Sequence, residues 1–171
     1  MTETFISVGS NIAPETHVPA ALRALMRHVT VCGISTMYRT EPLGRPEQAS
    51  FVNGIWSAVT DRDARSLKYD VLRSIETALG RVRTADAYAA RTIDLDIVVF
   101  GDAVLDEDGL VIPDPDILER PFLAIPLLEL KPDLRLPGSG VVLAQHPVCM
   151  QTGAMTALPE LTKQLKEIAN L

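Results

Sequence analysis

Asp94 and Asp96 stand two residues apart in RTIDLDIVVF, residues 91 to 100, a mostly apolar and β-branched run that reads as a strand. Side chains alternate along a strand, so both carboxylates face one way, with Cα atoms about 7 Å apart. Aspartate is a poor strand former, and an unpaired buried carboxylate is costly. One reading is a metal site, because such a pair can reach two divalent ions about 3.5–4 Å apart, as in phosphoryl and nucleotidyl transfer. Oxygen ligands with no nearby His or Cys favour magnesium over zinc. The other reading is a half-exposed strand with solvated carboxylates, and D-x-D alone leaves the two in balance.

Arginines shift that balance. Arg81 and Arg83 stand in GRVR, just after a helical pattern, Arg91 opens the strand, and Arg120 lies in ERPF. Guanidinium is the natural clamp for phosphate oxygens. Arg81 and Arg83 could equally be favourable charges at a helix C-terminus. The net charge of −6 argues against broad nucleic-acid binding and makes a local arginine cluster the expected polyanion site. Neither GxxxxGK[ST] nor GxGxxG occurs, so arginine and metal would have to hold the phosphates. His17, His28 and His146 form no triad, and Cys32 and Cys149 form no CxxC or metal spacing.

The elements that must position these groups follow from periodicity. The chain has 171 residues, 47% of them hydrophobic, and is read as one domain spanning residues 1–171. No apolar run approaches the roughly 20 residues of a membrane helix. The N-terminus MTETFISVGSN lacks a basic n-region and a long apolar core, so the expected location is cytoplasmic, without a membrane partner. Strands are expected at 4–8, 29–40, 51–60 and 91–100, and helices at about 15–29, with Pro19 in the first turn, and about 61–79. Asp61 or Asp63 would cap the second helix and Gly80 would end it. A short hairpin is expected from 103–105 and 110–112, and the tail should end in an amphipathic helix whose leucines pack on the core. The order βαββαβ predicts a ferredoxin-like α+β fold. Both helices would cover one face of an antiparallel sheet, leaving the other face free for function.

The blocks SVGSN (7–11), YRTEPLG (38–44), FVN (51–53), IETALGRVR (75–83), RTIDLDIVVF and ERPFLAIPLLEL together resemble the 6-hydroxymethyl-7,8-dihydropterin pyrophosphokinase family of folate biosynthesis. The likeness covers about residues 4–135, with a C-terminal extension from about 138. It implies a ferredoxin-like fold and transfer of the β,γ-diphosphate of ATP to the pterin hydroxymethyl group, with AMP released. Asp94 and Asp96 would hold two magnesium ions. Arg81, Arg91 and Arg120 match positions that contact ATP phosphates or help the transfer, and Glu76, Ile97 and Leu110 positions near the nucleotide. The pterin slot would use Gly9, Thr40, Pro42, Leu43, Phe51, Asn53 and Phe122. Aromatic faces and an amide that both donates and accepts suit a flat heteroaromatic. The partners implied are small molecules, ATP and hydroxymethyldihydropterin, acting on a monomer.

Departures from the family pattern bear on ATP. Asp114, in IPDPDILER, stands where a histidine is frequent, Thr84 where a lysine is common and Gly109 where an arginine can sit. Ala87 and Tyr88 replace a polar residue and a tryptophan. These changes remove positive charge, which predicts weaker ATP binding unless other groups compensate. The polar stretches 43–50 and 81–91 are expected to close as lids. Two alternatives stand beside this reading: a palm-like nucleotidyltransferase, which would release pyrophosphate, and a non-catalytic pterin- or nucleotide-binding module.

Overall fold

The structure is a computed structural model that describes residues 1–42, 46–86 and 89–171. Strand β1 (Thr2–Ser10) leads into helix α1 (Pro14–Leu25), then β2 (Thr30–Ile34), β3 (Tyr38–Thr40) and β4 (Phe51–Thr60). A continuous helical stretch follows: α2 (Ala64–Ser66), a π-helical segment (Leu67–Leu72) and α3 (Arg73–Ala78). Strand β5 (Asp94–Phe100) completes the core. The sheet runs β5-β1-β4-β3-β8, with β2 also on β4, and every pairing is antiparallel. That is the ferredoxin-like arrangement expected from the element order.

The span 29–40 is two strands, not one. Met37 is fully buried and its sulfur fills the space where a side chain on Gly54 would stand, while Ser35 Oγ accepts from Ile55 N at 2.9 Å. A chain crossing its neighbour that closely cannot keep a regular ladder. Helix α1 starts at Pro14, so Pro19 lies inside the helix and not in its first turn.

Alternation assigns the two faces. Ile6, Val8, Trp56, Leu95 and Ile97 point toward α1, the π-helical segment and α5 (Pro159–Ala169), which contributes the fully buried Leu165. The opposite face is not free. Phe5, Ile55 and Val99 pack there against Leu123, Ala124 and Leu127 of α4 (Pro121–Leu130). FLAIPLLEL is apolar nearly all round, and such a helix has to be buried. Function is left with the end of this face, beyond α4. A bulge in β5 makes the transition: Phe5 pairs with Val99 and Ile6 with Ile97, so Val98 is the extra residue and joins the α4 side.

The hairpin forms as β6 (Leu105–Glu107) and β7 (Leu110–Ile112). In the tail, β8 (Met155–Ala157) adds an unanticipated strand beside β3, and the leucines of α5 pack on the core as expected. No helix among the described residues is long and apolar enough to cross a membrane.

Candidate active site

Sheet register builds the floor. Gly9 in β1 lies between Asn53 of β4 and Asp94 of β5, and Ser7 pairs with Asp96. A Cβ on Gly9 would stand 3.0 Å from Asn53 Oδ1. Glycine therefore keeps this part of the floor open. Ile93, Leu95 and Ile97 point into the core at 0%, 4% and 1% exposure, which leaves Asp94 and Asp96 on the α4 side as expected.

Each carboxylate is held by basic groups. Asp94 Oδ1 accepts from Arg81 Nη1, and Oδ2 accepts from Arg91 Nη1 at 2.5 Å. Burial opposes ionisation of Asp94, but Arg81 and then Arg91 outweigh it and hold the carboxyl below the usual range. Asp96 Oδ1 accepts from Lys68 Nζ at 2.7 Å and from Ile97 N at 2.8 Å.

Glu76 sits beneath them at 1% exposure. Its Oε1 accepts from Leu95 N at 2.8 Å and Arg81 Nη1 at 2.5 Å, and its Oε2 from Arg83 Nη2. Burial raises its pKa, against the pull of the Leu95 N–H and the two guanidiniums. The local chain explains how Arg81 arrives there. Gly80 has φ +80°, Gly80 N donates to Thr77 O and Arg81 N to Glu76 O, a Schellman turn that folds the chain back over α3. Glu76 also satisfies an N–H on β5, which is the sheet's edge strand.

Two cavities meet at this cluster. The first, of about 380 Å³, is lined by five basic side chains (Lys68, Arg73, Arg81, Arg83 and Arg91) against three acidic ones (Asp86, Asp94 and Asp96). The second, of about 390 Å³, includes Gly9, Thr40, Phe51, Asn53, Arg120 and Phe122. Arg91, Asp94 and Asp96 line both. Arg91 also lies 5.4 Å from the centre of the Phe51 ring, which ties the basic cavity to the aromatic one.

The sequence family described as 7,8-dihydro-6-hydroxymethylpterin-pyrophosphokinase (HPPK) matches residues 5–132. The chain belongs to this family. A relative from Pseudomonas aeruginosa named 2-amino-4-hydroxy-6-hydroxymethyldihydropteridine pyrophosphokinase is 39% identical over 136 residues, covering 78% of this chain and 83% of the relative. One of the same name from Haemophilus influenzae is 34% identical over 145 residues, covering 83% and 89%. A solved HPPK-DHPS in complex with substrates superposes with a TM-score of 0.63 at 11% identity. That match covers 99% of this chain but only 45% of the other, and at that identity it speaks for the fold alone.

Within this pyrophosphokinase-family frame, Arg81, Arg91, Asp94 and Asp96 come together as expected. Arg120 does not line the basic cavity with Arg81 and Arg83; it lines the second cavity, which Arg91 also lines, with Nε 3.8 Å from Asp116 Oδ2. Asn53 Nδ2 donates to Thr40 Oγ1 at 2.6 Å on the slot wall. Pro42 is buried and does not line the slot. Ile97 and Leu110 are core residues at 1% exposure, so their side chains face neither cavity. Leu43, Ala87 and Tyr88, and with them parts of both expected lids, lie outside the described residues.

The departures land in different places. Asp114 lines the second cavity and not the basic one, and burial, with help from Asp116 and Asp96, pushes its carboxyl up to about 6. Thr84 lines the basic cavity. Gly109 occupies the β6–β7 turn at φ +73°, where a Cβ would stand 3.0 Å from the Tyr69 hydroxyl. A turn with positive φ accounts for glycine there.

Sequence reasoning missed two contributors. Asn11 N donates to Arg91 O at 3.1 Å, its Oδ1 accepts from Arg91 N at 2.8 Å, and its Nδ2 donates to Ala49 O at 3.2 Å. Together with Ser10 Oγ, which donates to Thr92 O at 2.6 Å, it locks the entry to β5. The turn-like GSN at the end of a strand was the available signal. Lys68 was the other, and its only trace was a charge beside the buried helical stripe Leu67, Val71, Leu72 and Ile75.

Proposed function

We propose that the chain transfers the β,γ-diphosphate of ATP to the hydroxymethyl oxygen of 6-hydroxymethyl-7,8-dihydropterin and releases AMP, in folate biosynthesis. The observation that carries this reading is the shared wall: Arg91, Asp94 and Asp96 belong to both cavities. In this reading a polyanion rests in the basic cavity and a flat heteroaromatic in the aromatic one. Their reacting atoms then meet over the two carboxylates.

Arg81, Arg83 and Arg91 would bind the triphosphate and stabilise charge developing toward the departing AMP. Phe51 and Phe122 would hold the pterin by its faces, and Asn53 by its polar edge. The donor set suits magnesium. Asp94 and Asp96 are hard oxygen ligands, and no group of three or more His, Cys, Asp or Glu able to hold a metal occurs among the described residues. Magnesium commonly takes one or two carboxylates and completes its shell with phosphate oxygens and water. When bound, it would supply Lewis acidity toward the phosphate groups. Ionised Asp94, favoured by Arg81 and Arg91, is the form that such a role needs.

The test is a product assay with ATP, magnesium and hydroxymethyldihydropterin. AMP and the pterin diphosphate should appear together. Pyrophosphate in place of AMP, or binding without turnover by the folded protein, would refute the assignment.

A further inference from the structure

Lys68 is unusually placed for a lysine. Its side chain is 9% exposed, yet it lines the basic cavity. It leaves the helix within the π-helical segment Leu67–Leu72. Eight residues of ideal α-helix would rotate Lys68 about 80° from Glu76. Wider π turns wind less per residue and bring the two toward one side, where both reach β5. Glu76 takes the Leu95 N–H, and Lys68 takes the carboxylate of Asp96.

Asp96 Oδ1 thus receives two donors, Lys68 Nζ at 2.7 Å and Ile97 N at 2.8 Å. Oδ2 has no hydrogen-bond partner among the described residues, although the side chain is 41% exposed and lines both cavities. Two donors on one oxygen stop the carboxylate from rotating and leave the other oxygen for an outside ligand. Asp94 differs, because an arginine occupies each of its oxygens.

We propose that Lys68 is a positioning residue, which grips Oδ1 of Asp96 so that Oδ2 is presented as the ligand for the divalent cation accompanying the nucleotide. This rests on the cation role proposed above for Asp94 and Asp96. Groups that orient a metal's carboxylate ligand typically change metal affinity 10–100-fold when removed. An ammonium near a dication also repels it, but the nucleotide's phosphates and the paired carboxylate screen that repulsion. Positioning is therefore the larger effect.

The experiment titrates Mn²⁺, followed by electron paramagnetic resonance, into the full chain with an unreactive ATP analogue. Lys68→Met, similar in length but uncharged, should weaken Mn²⁺ binding about 10–100-fold. Lys68→Arg should recover most of the loss. In turnover, the KM for magnesium should rise in Lys68→Met, while pterin affinity in a fluorescence titration stays near the parent's. Should Lys68→Met not fold, Lys68→Gln in the same titration should lose at least about tenfold. Mn²⁺ affinity in the folded variant within about twofold of the parent, or tighter, overturns the role of Lys68 alone. A parent chain that holds no Mn²⁺ beside the nucleotide overturns both this inference and the cation role beneath it.

Discussion

Glu76→Ala would remove the shared acceptor of Leu95 N, Arg81 and Arg83 from a site only 1% exposed. Deleting one partner of a buried ion pair typically costs about 3–5 kcal/mol. Leaving a buried N–H unpaired costs about 1–3 kcal/mol. The two do not simply add here, because Arg81 retains Asp94 and Arg83, at 47% side-chain exposure, can turn to water. The expected loss is therefore about 3–5 kcal/mol, or a fall in Tm of about 6–20 °C for a chain of this size. Glu76→Gln keeps the volume and an oxygen for Leu95 N, and should lose only about 1–2 kcal/mol. Urea unfolding followed by the emission of Trp56, the single tryptophan and fully buried, measures both. A loss below about 1 kcal/mol in Glu76→Ala would refute the claim that this carboxylate organises the arginines and caps the edge strand.

Other outcomes follow from the same geometry. Asp94→Asn and Asp96→Asn should each cut AMP formation about a thousandfold while circular dichroism stays at the parent's; near-normal turnover in either removes that residue from the mechanism. Asn11→Ala loses bonds to Arg91 and Ala49, so stability should drop by about 1–3 kcal/mol. With Arg91 misplaced, kcat/KM should drop about 10–100-fold, which steady-state kinetics would show. Asp114 has a folded pKa of about 6 against an ordinary 3.8, so its contribution to stability is fully present below pH 3.8 and is lost as pH rises through 6. Asp114 Oδ1 accepts from Asp116 N at 2.9 Å and caps the short 3-10 turn Pro115–Leu118. Asp114→Asn keeps that oxygen and should stabilise the protein at pH 7–8 by about 1–2 kcal/mol, with no gain near pH 4; equal effects at both pH values would contradict the shift.

The amino-acid order by itself determined a good deal. Period-two alternation in RTIDLDIVVF sends Ile93, Leu95 and Ile97 to the core and the two aspartates to the opposite face, because a strand has no other way to point them. The βαββαβ order and Gly80 were legible for the same reason: backbone preference and periodicity act over a few residues. Family-like blocks named Arg81, Arg91, Asp94, Asp96 and Asn53, and the fold gathers them.

What acts over long separations was not legible. Periodicity gave α4 no partner, yet its all-round apolar surface closes the face that seemed free, confining the site to the strand ends. Leu110 faces the core because the orientation of its short hairpin is set by packing. Arg120 and Asp114 fall on the second cavity, in the segment that Asp114 N ties to Val98 O of β5 at 2.9 Å, a contact across 16 residues. The grip of Lys68 on Asp96 spans 28 residues and depends on a π-helical segment. Local sequence decides which way a side chain leaves its own element. Only the packed sheet and helices decide which charge it meets there.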